Sequence, residues 1–173
     1  AVSLLPIVLF PSLGILGTAD TSINYSKTII FLFLGGFLLA IAVEKTGLHK
    51  VIASKLLNIF PQNSRGIIYA LAITSALLST ILSNTTTALL LMPIALFLID
   101  MKELKIRFVL AIAYGASIGG IITPIGTPPN LILMGFLQTN ELESLTFIMW
   151  MVKTIPLAAI MLTIVPYVLS INA

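Results

Sequence analysis

Two short polar runs interrupt otherwise apolar sequence, Ser83-Asn84-Thr85 and Gly126-Thr127-Pro128-Pro129-Asn130. Their hydroxyls, carboxamide oxygens and backbone carbonyls are hard oxygen ligands, which suits sodium without any acidic residue. Where a helix ends, its last carbonyls lack an intrahelical partner and can turn to a cation. Where one begins, its N–H groups and positive dipole end face anions. A neutral oxygen site beside a helix amino end can therefore hold a cation and a carboxylate or sulfate together. Ser79, Thr80 and Thr87 add hydroxyls nearby, although such side chains in membrane helices often only bond back to a carbonyl one turn away. Asn84 is different, because an unpaired carboxamide at the centre of so long an apolar run is costly.

The elements that must hold these runs are membrane segments. The 173 residues are 58% hydrophobic and only 9% charged, against about 25% charged in a soluble domain. So few charges cannot cover a water-soluble surface, whereas lipid accepts apolar side chains facing outward. The sequence predicts an all-α membrane protein.

Residues 66–99 carry no charge. As one helix they would extend roughly 51 Å, well beyond a hydrocarbon core of about 30 Å. Lys45, Lys50, Lys55 and Arg65 precede the run, and Lys102, Lys105 and Arg107 follow it. Both flanks are basic and are expected on the cytoplasmic side. A segment that leaves and returns to one side reads as a re-entrant hairpin, with its tip at Ser83-Asn84-Thr85. From 106 to 138 a helix rich in small residues runs into three prolines and a glycine, which predicts a broken membrane helix.

Around these lie an apolar segment from Ala1 to Gly17, a polar turn from Thr18 to Lys27, and a second span from Thr28 to Val43. Residues 47–60 read as an interfacial helix with Val51, Leu56 and Phe60 on its apolar side and Lys50 and Lys55 among headgroups. Glu141 and Glu143 mark an external loop. A last helix runs from Phe147 to Ser170, with Trp150 and Lys153 expected as interface anchors. His49 belongs with the basic interfacial stretch, since one imidazole makes no metal site. The small residues Gly35, Gly36, Gly115, Gly119, Ala116 and Gly120 suit close helix packing. The apolar start at Ala1 reads as a truncated beginning.

These features exclude several classes. There is no cysteine, no Ser-His-Asp set and no phosphate-binding loop, so catalysis finds no support and no enzyme is expected. The net charge of +3 arises from loops between apolar segments rather than from a basic patch, which argues against nucleic acid. No buried carboxylate pair is available for a proton relay.

A Ser-Asn-Thr tip followed about 40 residues later by Gly-Thr-Pro-Pro-Asn resembles the divalent anion/sodium symporter family of the ion transporter superfamily. Leu32-Phe33-Leu34-Gly35-Gly36-Phe37, Glu44-Lys45-x-Gly47-Leu48-His49-Lys50 and Ala116-Ser117-Ile118-Gly119-Gly120 are similar to it too, so the likeness covers nearly the whole chain in order.

The resemblance implies a homodimeric elevator-type transporter with two inverted repeats, of which this chain carries the first and lacks the C-terminal one. Residues 1–60 would belong to a scaffold and 61–146 to a transport unit with the hairpin (66–99) and the broken helix (106–138). The last helix would occupy 147–173. It further implies sodium on Ser79, Ser83, Asn84, Gly126 and Asn130, with Na+ as coupling ion, and a small anionic substrate against Asn84, Thr85, Thr127 and Pro128. Thr127 and Asn130 would also support the loop. The expected function is sodium-coupled transport of a di- or tricarboxylate or sulfate in a bacterial inner (cytoplasmic) membrane. An anion exchanger, a sodium/proton or arsenite carrier, and a scaffold fragment are the alternatives.

Overall fold

A computed structural model describes residues 2–172 apart from 62, 98–101, 143 and 144, so Glu143 lies outside the described residues. Helix makes up 81% of the chain, and no strand occurs among the described residues. Among the described residues, two helices, from Glu103 to Ile122 and from Phe147 to Ser170, are long and apolar enough to cross a membrane.

The amino-terminal region departs from the expected single span. A 3-10 turn at Val2–Leu4 leads into α1 (Leu5–Ser12), which at ~1.5 Å per residue is about 12 Å long. Gly14 stops it by taking a φ of +67°, and the amides of Ile15 and Leu16 fold back onto the Phe10 carbonyl. The stretch expected as a polar turn is instead helix α2 (Thr18–Tyr25). Asp20 lies in its first turn, where a carboxylate complements the helix dipole. The hydroxyl of Thr21 and the amide of Asn24 bond carbonyls one turn back, at Gly17 and Asp20. Polar side chains were thus absorbed by local helical bonds.

Helix α3 (Thr28–Lys45) and α4 (Leu48–Ile59) follow, separated at Gly47 with φ +70°. Val51 on α4 is exposed, whereas Ala53 and Ile52 pack onto the core. The side chains of His49 and Leu56 lie outside the described part. α5 (Ser64–Ser79) starts at Asn63, whose side chain accepts from the Gly66 amide at 2.7 Å. After a turn at 80–83 come α6 (Asn84–Phe97) and α7 (Lys102–Ile122), then α8 (Pro128–Thr139) and α9 (Phe147–Ser170).

α5 is the centre of the molecule, with Ile68, Leu71, Ala72 and Ala76 buried against α7 and its neighbours. Small residues make this possible. A Cβ at Gly115 would stand 2.3 Å from the Ala72 carbonyl oxygen, and one at Gly119 2.0 Å from that of Ala76. This register, with the Ser75 hydroxyl donating to the Ile112 carbonyl, shows that α5 and α7 run parallel. α6 must therefore carry the chain back, and it packs along α7 with Leu91 and Ala95 in the shared core. Gly36 meets Ile125 of the segment after α7, but at Gly35 a Cβ would meet nothing within 4 Å, so the packing role expected of Gly35 is not seen within this chain.

α9 runs antiparallel to α7. Arg107, near the start of α7, donates to the carbonyls of Leu169 and Ile171 at the end of α9, a cation capping a helix carboxyl end. Arg65 shares a cleft with Tyr167, Ser170 and Ile171 at that same end. The two arginines thus gather at one end of the bundle.

Candidate functional site

The parallel run of α5 and α7 brings both carboxyl ends to one level, and there both chains break. Thr80 ends α5 by bonding its hydroxyl to the Leu77 carbonyl at 2.7 Å. Ser83 opens α6: its hydroxyl accepts from the Thr86 amide at 3.1 Å and pairs with the Thr86 hydroxyl at 2.8 Å. This is ordinary N-capping, so Ser83 holds the helix start. α7 ends at Ile122 because Pro124 follows, and α8 restarts at Pro128. Proline at the first helical positions needs no N–H partner and is preset for the helix, so Pro128 and Pro129 belong to α8 and only 123–127 lies between the helices.

The two breaks interlock. The Ser79 hydroxyl donates to the Asn84 carboxamide oxygen at 2.6 Å, joining the end of α5 to the start of α6. The same oxygen lies 2.5 Å from where a Gly120 Cβ would be, so Asn84 rests directly on the α7 backbone. Thr123 donates its hydroxyl to the Thr80 carbonyl. Asn130, buried on α8, donates its amide nitrogen to Gly120 at 2.7 Å and Thr123 at 2.9 Å. A Cβ at Gly126 would meet the Gly120 carbonyl oxygen at 2.7 Å and that of Ser79 at 3.0 Å.

These bonds divide the carbonyls of the broken ends into two groups. On the α7 side, Asn130 occupies Gly120, Trp150 occupies Ile121, the Gly126 amide and Asn130 occupy Thr123, and the Thr154 hydroxyl lies 3.2 Å from Ile122 while also reaching its own helix at Trp150. On the α5 side, no bond among the described residues ends on the Ser79 carbonyl, which faces Gly126. Beside it, the Ser79 and Asn84 side-chain oxygens stand 2.6 Å apart, uncharged oxygen donors at the broken end of α5.

The anion-binding capacity is equally lopsided. α8 has proline at its first two positions and so offers no N–H there, whereas α6 begins with Asn84 and Thr85. The Thr86 and Thr87 amides are spent on Ser83. Asn84 is half-buried and Thr85 exposed, while Thr127 is half-buried and Pro128 exposed. A cavity of about 60 Å³ opens beside Ser83, Gly126 and Pro128, walled by Gly36, Phe37 and Ala40 of α3.

Of the residues expected at the site, Ser79, Asn84, Gly126 and Asn130 are brought together, and Ser83, Thr127 and Pro128 border them. Asn130 braces the break by its nitrogen. Gly120 and Thr123 were missed as site residues; Gly120 had been assigned to packing alone. Trp150 was expected at the lipid interface, yet it is only 7% exposed and its ring N–H donates to the Ile121 carbonyl at 2.9 Å. The correction is physical: a buried indole N–H seeks a partner, and the last turn of α7 supplies one.

The bracing role of Asn130 makes a prediction. Asn130→Asp keeps the shape but replaces two donated bonds with an oxygen facing two carbonyls. We expect a loss of about 2–4 kcal/mol in stability, read as a lower unfolding midpoint of the purified protein.

The sequence is similar to known transporters along nearly its whole length. The citrate transporter family model matches residues 1–172. A sodium-dependent dicarboxylate transporter, SdcS of Staphylococcus saprophyticus, is 37% identical over 179 residues, covering 95% of this chain and 34% of the relative. SdcS of Staphylococcus aureus is 38% identical over 178 residues, covering 95% and 34%. The chain thus spans about a third of the length of these relatives. With a matching family model along nearly its whole length and two interlocked helix breaks at its centre, the chain belongs to the citrate transporter family, integral membrane proteins of the divalent anion/sodium symporter group.

Proposed function

We propose that the whole protein couples sodium entry to uptake of a di- or tricarboxylate across a bacterial inner membrane, and that this chain supplies half of the ion and substrate site. The observation that carries the reading is the meeting of the α5 carboxyl end with the α6 amino end through Ser79 and Asn84. Sodium would lie on Ser79, Ser83, Asn84 and Gly126, with Asn130 bracing the loop. The substrate carboxylate would lie against Asn84 and Thr85, flanked by Thr127 and Pro128. A bound cation beside the α6 amino end neutralises much of the cost of bringing in an anion, which is how binding of the two becomes coupled.

In this reading α5 and α6 form a re-entrant hairpin. At ~1.5 Å per residue they are about 24 and 21 Å long, each short of a ~30 Å core. Arg65 and Arg107 at one end of the bundle support a shared cytoplasmic side. Residues 1–60 would form scaffold and 61–146 the moving unit of an elevator, with 147–173 as its last helix. A second, inverted repeat would close the pocket, and two copies would form the dimer. The small open cavity beside Ser83 fits a site completed by further chain.

The test is uptake of labelled succinate, citrate or sulfate by the full-length protein in proteoliposomes. An inward sodium gradient should drive accumulation of a carboxylate, and potassium or choline should not. Equal uptake in all three salts would overturn sodium coupling.

A further inference from the structure

The carboxyl end of α7 is held by α9. Trp150, 7% exposed, donates its indole N–H to the Ile121 carbonyl at 2.9 Å; the Thr154 hydroxyl, one turn further on, shares its one proton between the Trp150 carbonyl of its own helix at 3.0 Å and the Ile122 carbonyl at 3.2 Å. These are the last two residues of α7. A helix end within a membrane has little water to satisfy its final carbonyls, so the two donors fix which way those groups turn. They turn toward α9.

The next residue back, Gly120, carries the backbone on which the Asn84 carboxamide rests, with a would-be Cβ 2.5 Å from the oxygen. A shift of Gly120 toward Asn84 therefore presses on the carboxamide that accepts from Ser79. Arg107 pins the other end of the same helix pair to Leu169 and Ile171. The α7–α9 pair is thus fastened at both ends, leaving little freedom to absorb a lost bond.

We propose that Trp150 and Thr154 are positioning residues for the sodium site: they touch neither ion nor substrate, and they set the geometry of Asn84 through the last turn of α7. The inference rests on the sodium reading above. It assigns to α9 a part in ion affinity that helix packing alone would not give it.

The experiment uses the purified full-length transporter. Sodium titrated against a choline background raises the unfolding midpoint of a protein that binds it in the folded state, and half-saturation of that rise is the readout. Trp150→Phe retains an aromatic ring and removes the donor. Thr154→Val removes the hydroxyl and Thr154→Ser restores it, so the threonine pair decides the matter should Trp150→Phe not fold.

Trp150→Phe and Thr154→Val should each raise half-saturating sodium about fivefold, the equivalent of one hydrogen bond, with Thr154→Ser and the uptake rate at saturating sodium within about twofold of wild type. Unchanged half-saturation in both donor-deleted variants would overturn the inference. So would Thr154→Ser behaving like Thr154→Val, or a fall in maximal rate with sodium affinity intact. A wild-type protein without any sodium response would instead overturn the sodium reading itself, and this inference with it; failure of the inference alone appears only in variants on a responsive background.

Discussion

Gly119→Ala should lower the unfolding midpoint of the transporter by about 10 °C. A Cβ there would stand 2.0 Å from the Ala76 carbonyl oxygen and 2.5 Å from its Cα, and both are backbone atoms at the centre of a buried helix. No rotamer change relieves such a contact. α5 and α7 would have to separate by more than an ångström along an interface filled by Ala72, Ala76, Ala111 and Ala116, opening voids that no side chain fills. Overpacking of this kind costs about 1–3 kcal/mol and more where the backbone cannot yield. We expect the upper end or beyond, a fall of about 10 °C in the unfolding midpoint on the scale of ~2–4 °C per kcal/mol. Gly35→Ala, where a Cβ meets nothing within 4 Å, is the matched control and should unfold near wild type.

Asn84→Ala should leave the fold in place and cut transport at low sodium. Asn84 is half-buried and begins α6, so truncating it opens no deep cavity, and Ser83 still caps the helix through Thr86. What disappears is the oxygen that accepts from the Ser79 hydroxyl. A lost bond to a charged group is worth about 1.5–3 kcal/mol, which converts to about 10- to 100-fold weaker sodium binding. Uptake at subsaturating sodium should drop by the same factor, while excess sodium recovers part of it. A variant that transports normally at low sodium would remove Asn84 from the ion site.

Much of this arrangement was legible in the sequence, and particular residues show why. The break at 80–83 was marked by hydroxyls and Asn84 in the middle of an uncharged run too long for one span. The break at 123–127 was marked by Pro124 and the glycine after it. α4 and α9 followed from charge spacing and apolar length. The misses have a common cause, because one residue type can serve local or distant bonds. Thr18–Tyr25 looked like a turn for its polar side chains, yet these bond within a helix. Pro128 and Pro129 looked like breakers but start α8, since proline is tolerated at a first turn. Trp150 matched an interface aromatic by type and place, and only the helix register shows its N–H meeting Ile121. Gly120 looked like a packing glycine, and its contact with Asn84 depends on the parallel pairing of α5 and α7, which periodicity does not encode.

The interlock also explains why the site needs both breaks. Asn84 leans on Gly120, Thr123 bonds Thr80, and Gly126 lies against Ser79; a change in either segment reaches the other within one contact. Such a cluster is preorganised, so little ordering cost falls on the arriving ion.

Equilibrium binding of radiolabelled sodium to the purified full-length protein, wild type beside Asn84→Ala, is the decisive measurement. The account predicts saturable binding to wild type and about 10- to 100-fold weaker binding to the variant, with both proteins unfolding at similar temperatures without sodium. Equal sodium binding by the two would contradict it.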